Sequence, residues 1–156
     1  AHLTPGPRCC GTLDEVIEGA DVFIGASVPK SLTGEQVKKM APHPVVFALA
    51  NPVPEISREE AMAAGAAAYA SGRSDTPNQI NNVLAFPGLF RGLLDCRAKK
   101  VSLGMKLAAA GAIADLARED GLKAERIVPD PFDKRLKGKI SQAVMDAARK
   151  EGLARA

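Results

Sequence analysis

The 156-residue chain has no tryptophan, one tyrosine and five phenylalanines, so it offers few aromatic faces on which single-stranded nucleic acids could stack. Long apolar runs are missing too. The longest, Val45 to Ala50, is six residues, against about 20 for a membrane-spanning helix, which excludes a transmembrane span and a signal-peptide core. Three cysteines, two of them adjacent at Cys9 and Cys10, make neither a C-x-x-C pair nor an even disulfide framework. A reducing compartment, the cytoplasm, is therefore expected. His2 and His43 have no zinc-ligand spacing and read as exposed loop residues. No G-x-G-x-x-G follows a strand pattern, and no acidic residue closes a strand where it would read an adenosine ribose.

What is present belongs to a folded protein: 46% hydrophobic and 25% charged residues, in a chain of one domain's length. A chain of this size buries roughly 68–70% of its unfolded surface. The net charge of +3 hides an asymmetry, with residues 1–96 at net −3 and residues 97–156 at net +6. The basic residues lie on helical patterns whose other face is apolar, so they read as a solvated surface and not as a nucleic-acid site. The opening at Ala1, in a Pro- and Gly-bearing stretch, reads as the interior of a longer chain.

Residues 1–11 form an irregular lead-in, residues 12–80 alternate helix and strand patterns, and residues 81–156 are mainly helical. Thr12 to Glu15 makes a capping box that opens a helix with Val16 and Ile17 inward, closed by Gly19. Asp21 to Ala26 is a continuous apolar run of the kind buried on both faces of a parallel sheet. The cycle repeats: Thr33 to Gln36 caps a helix to Met40, Val45 to Ala50 is a strand, Ser57 to Glu60 caps a helix to Ala64, and Ala67 to Ser71 is a third strand. Helices between consecutive strands imply right-handed crossovers. Gln79 to Asp95 has helical spacing, and Pro87 in its middle should kink or split it. Ser102 to Glu119 carries an apolar stripe of Leu103, Leu107, Ala110, Ile113 and Ala117; the last helix carries Leu136, Ile140, Val144 and Ala148. Three strands are too few for a whole doubly wound sheet. The fold class is therefore α/β, the second half of a Rossmann-like doubly wound parallel sheet followed by C-terminal helices.

Ligands of open parallel sheets bind at the carboxyl ends of the strands. Three polar loops occupy those ends: Ser27-Val28-Pro29, Asn51-Pro52-Val53-Pro54-Glu55, and Gly72 to Gln79, followed by Asn81-Asn82. An Asx turn explains Asn51, and an N-cap and its neighbour explain Asn81 and Asn82. The alternative is chemical, since each amide can donate to a carboxylate while accepting from a ribose hydroxyl. Gly72 is either a loop glycine or a point of close backbone approach to a cofactor. Arg73 and Asp75 read first as a loop-fixing ion pair, and Tyr69 as a packing residue.

The runs Gly19-Ala20-Asp21-Val22-Phe23-Ile24-Gly25, Val46 through Ala50-Asn51-Pro52-Val53-Pro54-Glu55-Ile56, Ser71-Gly72-Arg73-Ser74-Asp75, Pro77 to Val83 and Phe86-Pro87-Gly88-Leu89-Phe90-Arg91-Gly92 together resemble the malic enzymes, specifically the small bacterial type. Pro129-Asp130-Pro131-Phe132-Asp133 and the closing helix extend the resemblance from about Thr12 to near the end. It covers the C-terminal part of the family's NAD(P)-binding domain. The resemblance implies oxidative decarboxylation of L-malate to pyruvate and carbon dioxide, with NAD or NADP reduced and Mg or Mn required. It implies malate binding at Asn51 and Asn81, and cofactor binding at Ser27, Val28, Asn51, Gly72 and Asn82. The family's catalytic tyrosine and lysine, acidic metal ligands and phosphate loop would lie upstream of Ala1, so no catalytic residue or metal ligand is expected in this chain. A homodimer or higher oligomer is implied for the whole enzyme. Cys96 and the Pro7-Arg8-Cys9-Cys10 stretch depart from the family pattern. Two rival readings are another Rossmann dehydrogenase and a non-catalytic cofactor-binding or interaction module.

Overall fold

The computed structural model describes residues 11–155; His2, Cys9 and Cys10 lie outside them. Two compact units divide at Tyr69 and Ala70. In the first, α1 (Leu13–Val16), α2 (Gly34–Lys38) and α3 (Arg58–Ala63) alternate with β1 (Val22–Gly25), β2 (Val45–Ala48) and β3 (Ala68–Ser71), the last of which carries the chain across the division. The strands form one sheet in the order β1-β2-β3. β1 and β2 are parallel, with Val22 beside Val45 and Gly25 beside Ala48. This is the α/β sheet that the sequence implies.

The helix starts follow their capping chemistry. Glu15 accepts the Thr12 N–H at 2.7 Å, Gln36 Oε1 accepts the Thr33 N–H at 2.9 Å, and Ser57 Oγ accepts the Glu60 N–H at 3.1 Å. Each satisfies an amide that the first helical turn leaves without a partner. The bond from the Thr12 amide holds the Glu15 carboxyl below the usual carboxylate range.

Alternation along the strands decides where the first core lies. Val46 and Ala48 are fully buried with Ile17, Leu32, Val37, Ile56, Ala61 and Tyr69, whose hydroxyl donates to the Ile56 carbonyl at 2.9 Å. Val22 and Ile24 point to the other face and are 49% and 66% exposed. β1 therefore departs from the expected burial on both faces: successive side chains alternate, and within this unit only one face is covered. Val16 is also outward, leaving Ile17 as the inward residue of its pair.

The second unit is helical: a 3₁₀ turn (Asn82–Leu84), α4 (Phe86–Asp95), α5 (Leu103–Glu119) and α6 (Lys134–Lys150). Pro87 does not kink a long helix. It occupies the first turn of α4, where its missing N–H has no intrahelical partner to lose and its fixed φ suits the start. α6 packs on both α4 and α5, and its stripe of Leu136, Ile140, Val144 and Ala148 is buried as expected. A Cβ on Gly88 would lie 2.6 Å from Ile140 Cβ, and one on Gly92 would lie 2.6 Å from the Ser141 carbonyl oxygen. Two glycines one turn apart thus let α4 approach the α6 backbone.

On α5 the expected stripe is wrong by part of a turn. Leu103, Leu107 and Ala110 are exposed, while Met105, Ala109, Leu116 and Ala117 face the core with Ala112 and Ile113 partly buried beside them. Alanines surround this helix, so hydropathy alone marks no face, and the fit of Met105 and Leu116 against α6 decides it.

Candidate functional site

In the first unit the carboxyl ends of β1 and β2 lead into the 26–33 and 49–55 loops. Ser27, Val28 and Asn51 are all exposed, and the Asn51-Pro52 peptide is cis. Among the described residues the Asn51 side chain makes no hydrogen bond, so the Asx turn is not formed and its amide faces solvent. Beneath the loops lies Glu55, with no exposed surface. One carboxylate oxygen accepts the Ser27 N–H at 2.9 Å and the other accepts the Ala50 N–H at 3.0 Å. The main chain of Pro54 and Glu55 adds to the same junction: the Lys30 N–H donates to the Pro54 carbonyl and the Leu32 N–H to the Glu55 carbonyl, both at 3.1 Å.

In the second unit, β3 ends at Ser71 and the chain turns through the 72–79 loop. Arg73 Nε donates to Asp75 at 2.8 Å, which holds the Asp75 carboxyl below its usual range. The pair is exposed, the loop-fixing arrangement expected for it. Asn81 is the N-cap of the 3₁₀ turn: its Oδ1 accepts the Val83 N–H at 3.1 Å, and its Nδ2 donates to the Gly72 carbonyl at 3.3 Å. One Nδ2 hydrogen remains for a ligand. Asn81 therefore fulfils the capping role and keeps donor capacity, while joining Gly72 to the turn that carries Asn82. Asn82 is exposed, and among the described residues its side chain makes no hydrogen bond.

Two further residues escape a reading of the sequence. Glu55 closes the Asn-Pro-x-Pro-Glu run, but its partners are 28 and 5 residues away. The only local signal is an acid wedged between Pro54 and Ile56. Asn78 is 7% exposed, and its amide accepts the Ile127 N–H at 2.8 Å and donates to the Ala124 carbonyl at 2.7 Å. It fixes the segment opposite the 74–79 loop, and a groove of about 340 Å³ lies between the two. It stands at a positive φ of 58°, a region that asparagine tolerates better than most residues. His43 is exposed, as expected, and Cys96 is buried with its thiol free. Among the described residues no group of three or more His, Cys, Asp or Glu side chains could hold a metal ion, and no helix is long and apolar enough to cross a membrane.

A parallel half-sheet whose loops lie at the carboxyl ends of its strands is a form that open doubly wound domains take. Residues 9–149 match the family described as malic enzyme, NAD binding domain, and the chain belongs to that family. It is 53% identical over 155 residues to the bifunctional malic/malolactic enzyme of Bacillus subtilis, covering 99% of this chain and 38% of that one. It is also 53% identical over 155 residues to the NAD-dependent malic enzyme of Geobacillus stearothermophilus, covering 99% and 32% respectively. The crystal structure of malic enzyme from Pyrococcus horikoshii superposes with a TM-score of 0.88 at 45% identity, over 94% of this chain and 34% of that one. The chain thus spans about a third of the length of these relatives.

Proposed function

We propose that this chain is the C-terminal part of the cofactor-binding domain of an enzyme that oxidatively decarboxylates L-malate to pyruvate and carbon dioxide, with reduction of NAD or NADP. Membership of the malic enzyme NAD-binding family over residues 9–149 carries this reading. The bound nicotinamide would accept the hydride from C2 of malate. The chain's own task is placement: Ser27, Val28, Gly72 and Asn82 for the cofactor, Asn51 and Asn81 for malate, with Asn51 also beside the cofactor.

The amides suit this task. Asn51 has its whole side chain available, and Asn81 keeps one donor hydrogen after capping its turn. Neutral donors orient a carboxylate without the strong ground-state attraction of a guanidinium, which would oppose its departure as neutral carbon dioxide. Once the C2 hydroxyl has given up its proton and C2 its hydride, the electrons of the bond between C3 and the departing carboxylate pass towards the keto group as carbon dioxide leaves, and C3 is then protonated. The groups that move those protons, and any Mg or Mn ligands, are proposed to lie outside this chain; the described residues do not supply a metal site. A cytoplasmic location and a dimeric or larger assembly complete the proposal.

The test is malate-dependent cofactor reduction by the complete enzyme, measured beside the isolated 156-residue chain. The complete enzyme is expected to turn over malate with added Mg or Mn. The isolated chain is expected to give none above a heat-killed control, because positioning alone does not replace proton transfer. A complete enzyme inert towards malate with either nucleotide would overturn the reading.

A further inference from the structure

Glu55 is an acid with no solvent exposure whose two oxygens are both used, each by a backbone N–H from a different loop. The first amide belongs to Ser27 and adjoins Val28; the second belongs to Ala50 and adjoins Asn51. A carboxylate is acceptor-only, with two oxygens set apart by a rigid fork, so it can fix two donors at a defined separation in a way no neutral side chain matches. The strand beneath is shaped for it. Gly25 ends β1 directly against the group, and a Cβ there would stand 2.6 Å from Glu55 Cδ.

We propose that Glu55 is a positioning residue that sets the cofactor-side loop and the substrate-side loop together, so that nicotinamide and malate affinities depend on one buried carboxylate. The proposal rests on the malic enzyme reading. It differs from that reading in giving a function to a residue that touches neither ligand. A core-filling acid would contribute to stability alone. A shared anchor links two Michaelis constants, because displacing it moves the Ser27 and Ala50 amides at once.

The experiment uses the complete enzyme and the variants Glu55→Gln and Gly25→Ala. Glutamine keeps the size but turns one acceptor into an NH2 that faces a backbone donor. The alanine methyl crowds the carboxylate, along with the Phe23 ring 2.7 Å away, without altering the chemistry of the acid. Both variants are expected to raise KM for cofactor and KM for malate together, each roughly tenfold, the scale of one lost hydrogen bond to a charged group. Amide hydrogen exchange at Ser27 and Ala50 should quicken in parallel. Unchanged KM values with a lowered Tm, a rise in only one KM, or failure of both variants to fold would overturn the assignment and leave Glu55 a structural residue. A wild-type enzyme that does not reduce cofactor with malate would instead overturn the underlying function, so the two failures are distinguishable.

Discussion

The two units of this chain are held by different physics. The first has three four-residue strands, a core on one sheet face, and loops fixed by hydrogen bonds that converge on Glu55. The second has two 17-residue helices and a 10-residue helix packed through apolar stripes, with glycines admitting the α6 backbone. Directional bonds set loop positions sharply and tolerate little chemical change. Apolar packing is non-directional, so it responds mainly to volume. Substitutions in the loops of the first unit should therefore be read in ligand affinity, and those in the core of the second in stability.

The largest expected effect tests the second half of that contrast. Ile140 is fully buried between α4 and α5 neighbours, and Ile140→Ala should cost about 2–5 kcal/mol through lost burial and the cavity left behind. Thermal denaturation should show it, while the malate KM of the surviving folded enzyme stays near wild type. A large change in KM would break the division between the units.

Next are the two asparagines, whose surroundings now separate them. Asn51→Ala removes a solvent-facing amide, so kcat/KM for malate should fall roughly 10- to 150-fold, the equivalent of about 1.5–3 kcal/mol, with Tm unchanged. Asn81→Ala also deletes a cap and the tie to Gly72, so a similar kinetic loss should come with about 0.5–2 kcal/mol of destabilisation. Steady-state kinetics beside melting curves would check both. Equal kinetics with reduced stability in both variants would return the asparagines to turn-making.

The smallest effect concerns the start of α6. Asp133 caps it, accepting from the Arg135 guanidinium and from the Arg135 N–H at 2.8 Å, and these bonds hold its carboxyl below the usual carboxylate range. A depressed folded-state pKa means stabilisation that is present above the unfolded value of about 3.9 and lost as pH falls through the lower folded value. Asp133→Asn should therefore narrow the difference in Tm between neutral and strongly acidic solution by a small amount. Melting curves across that range would detect it.

Much of the fold was legible because its determinants are local. Thr12, Thr33, Ser57 and Ser102 each stand directly before a helix, and a cap is a short-range bond that sequence displays. The stripe of α6 was equally plain, since its lysines and arginines leave one apolar face. The buried face of α5 is hidden in the sequence because its many alanines carry little directional information, and the role of Pro87 because its effect depends on whether a helix starts before it. The strand-end loops could be placed from the strands, and the asparagines from their motif. Glu55 and Asn78 could not, because their partners lie up to 28 and 49 residues away, and no periodicity reports a contact of that span.

Asn78 carries a consequence of its own. Its side-chain amide stands in for a peptide unit, giving one acceptor and one donor to a segment nearly fifty residues further along. Hydrolysis of that amide to aspartate would preserve the acceptor towards the Ile127 N–H. The donor towards the Ala124 carbonyl would become an oxygen, so that two lone pairs faced each other at what had been 2.7 Å. Such a hydrolysis, taking up one water and releasing one ammonia for a net gain of about one dalton, would convert one half of the clasp into a repulsion without altering any other residue of the chain.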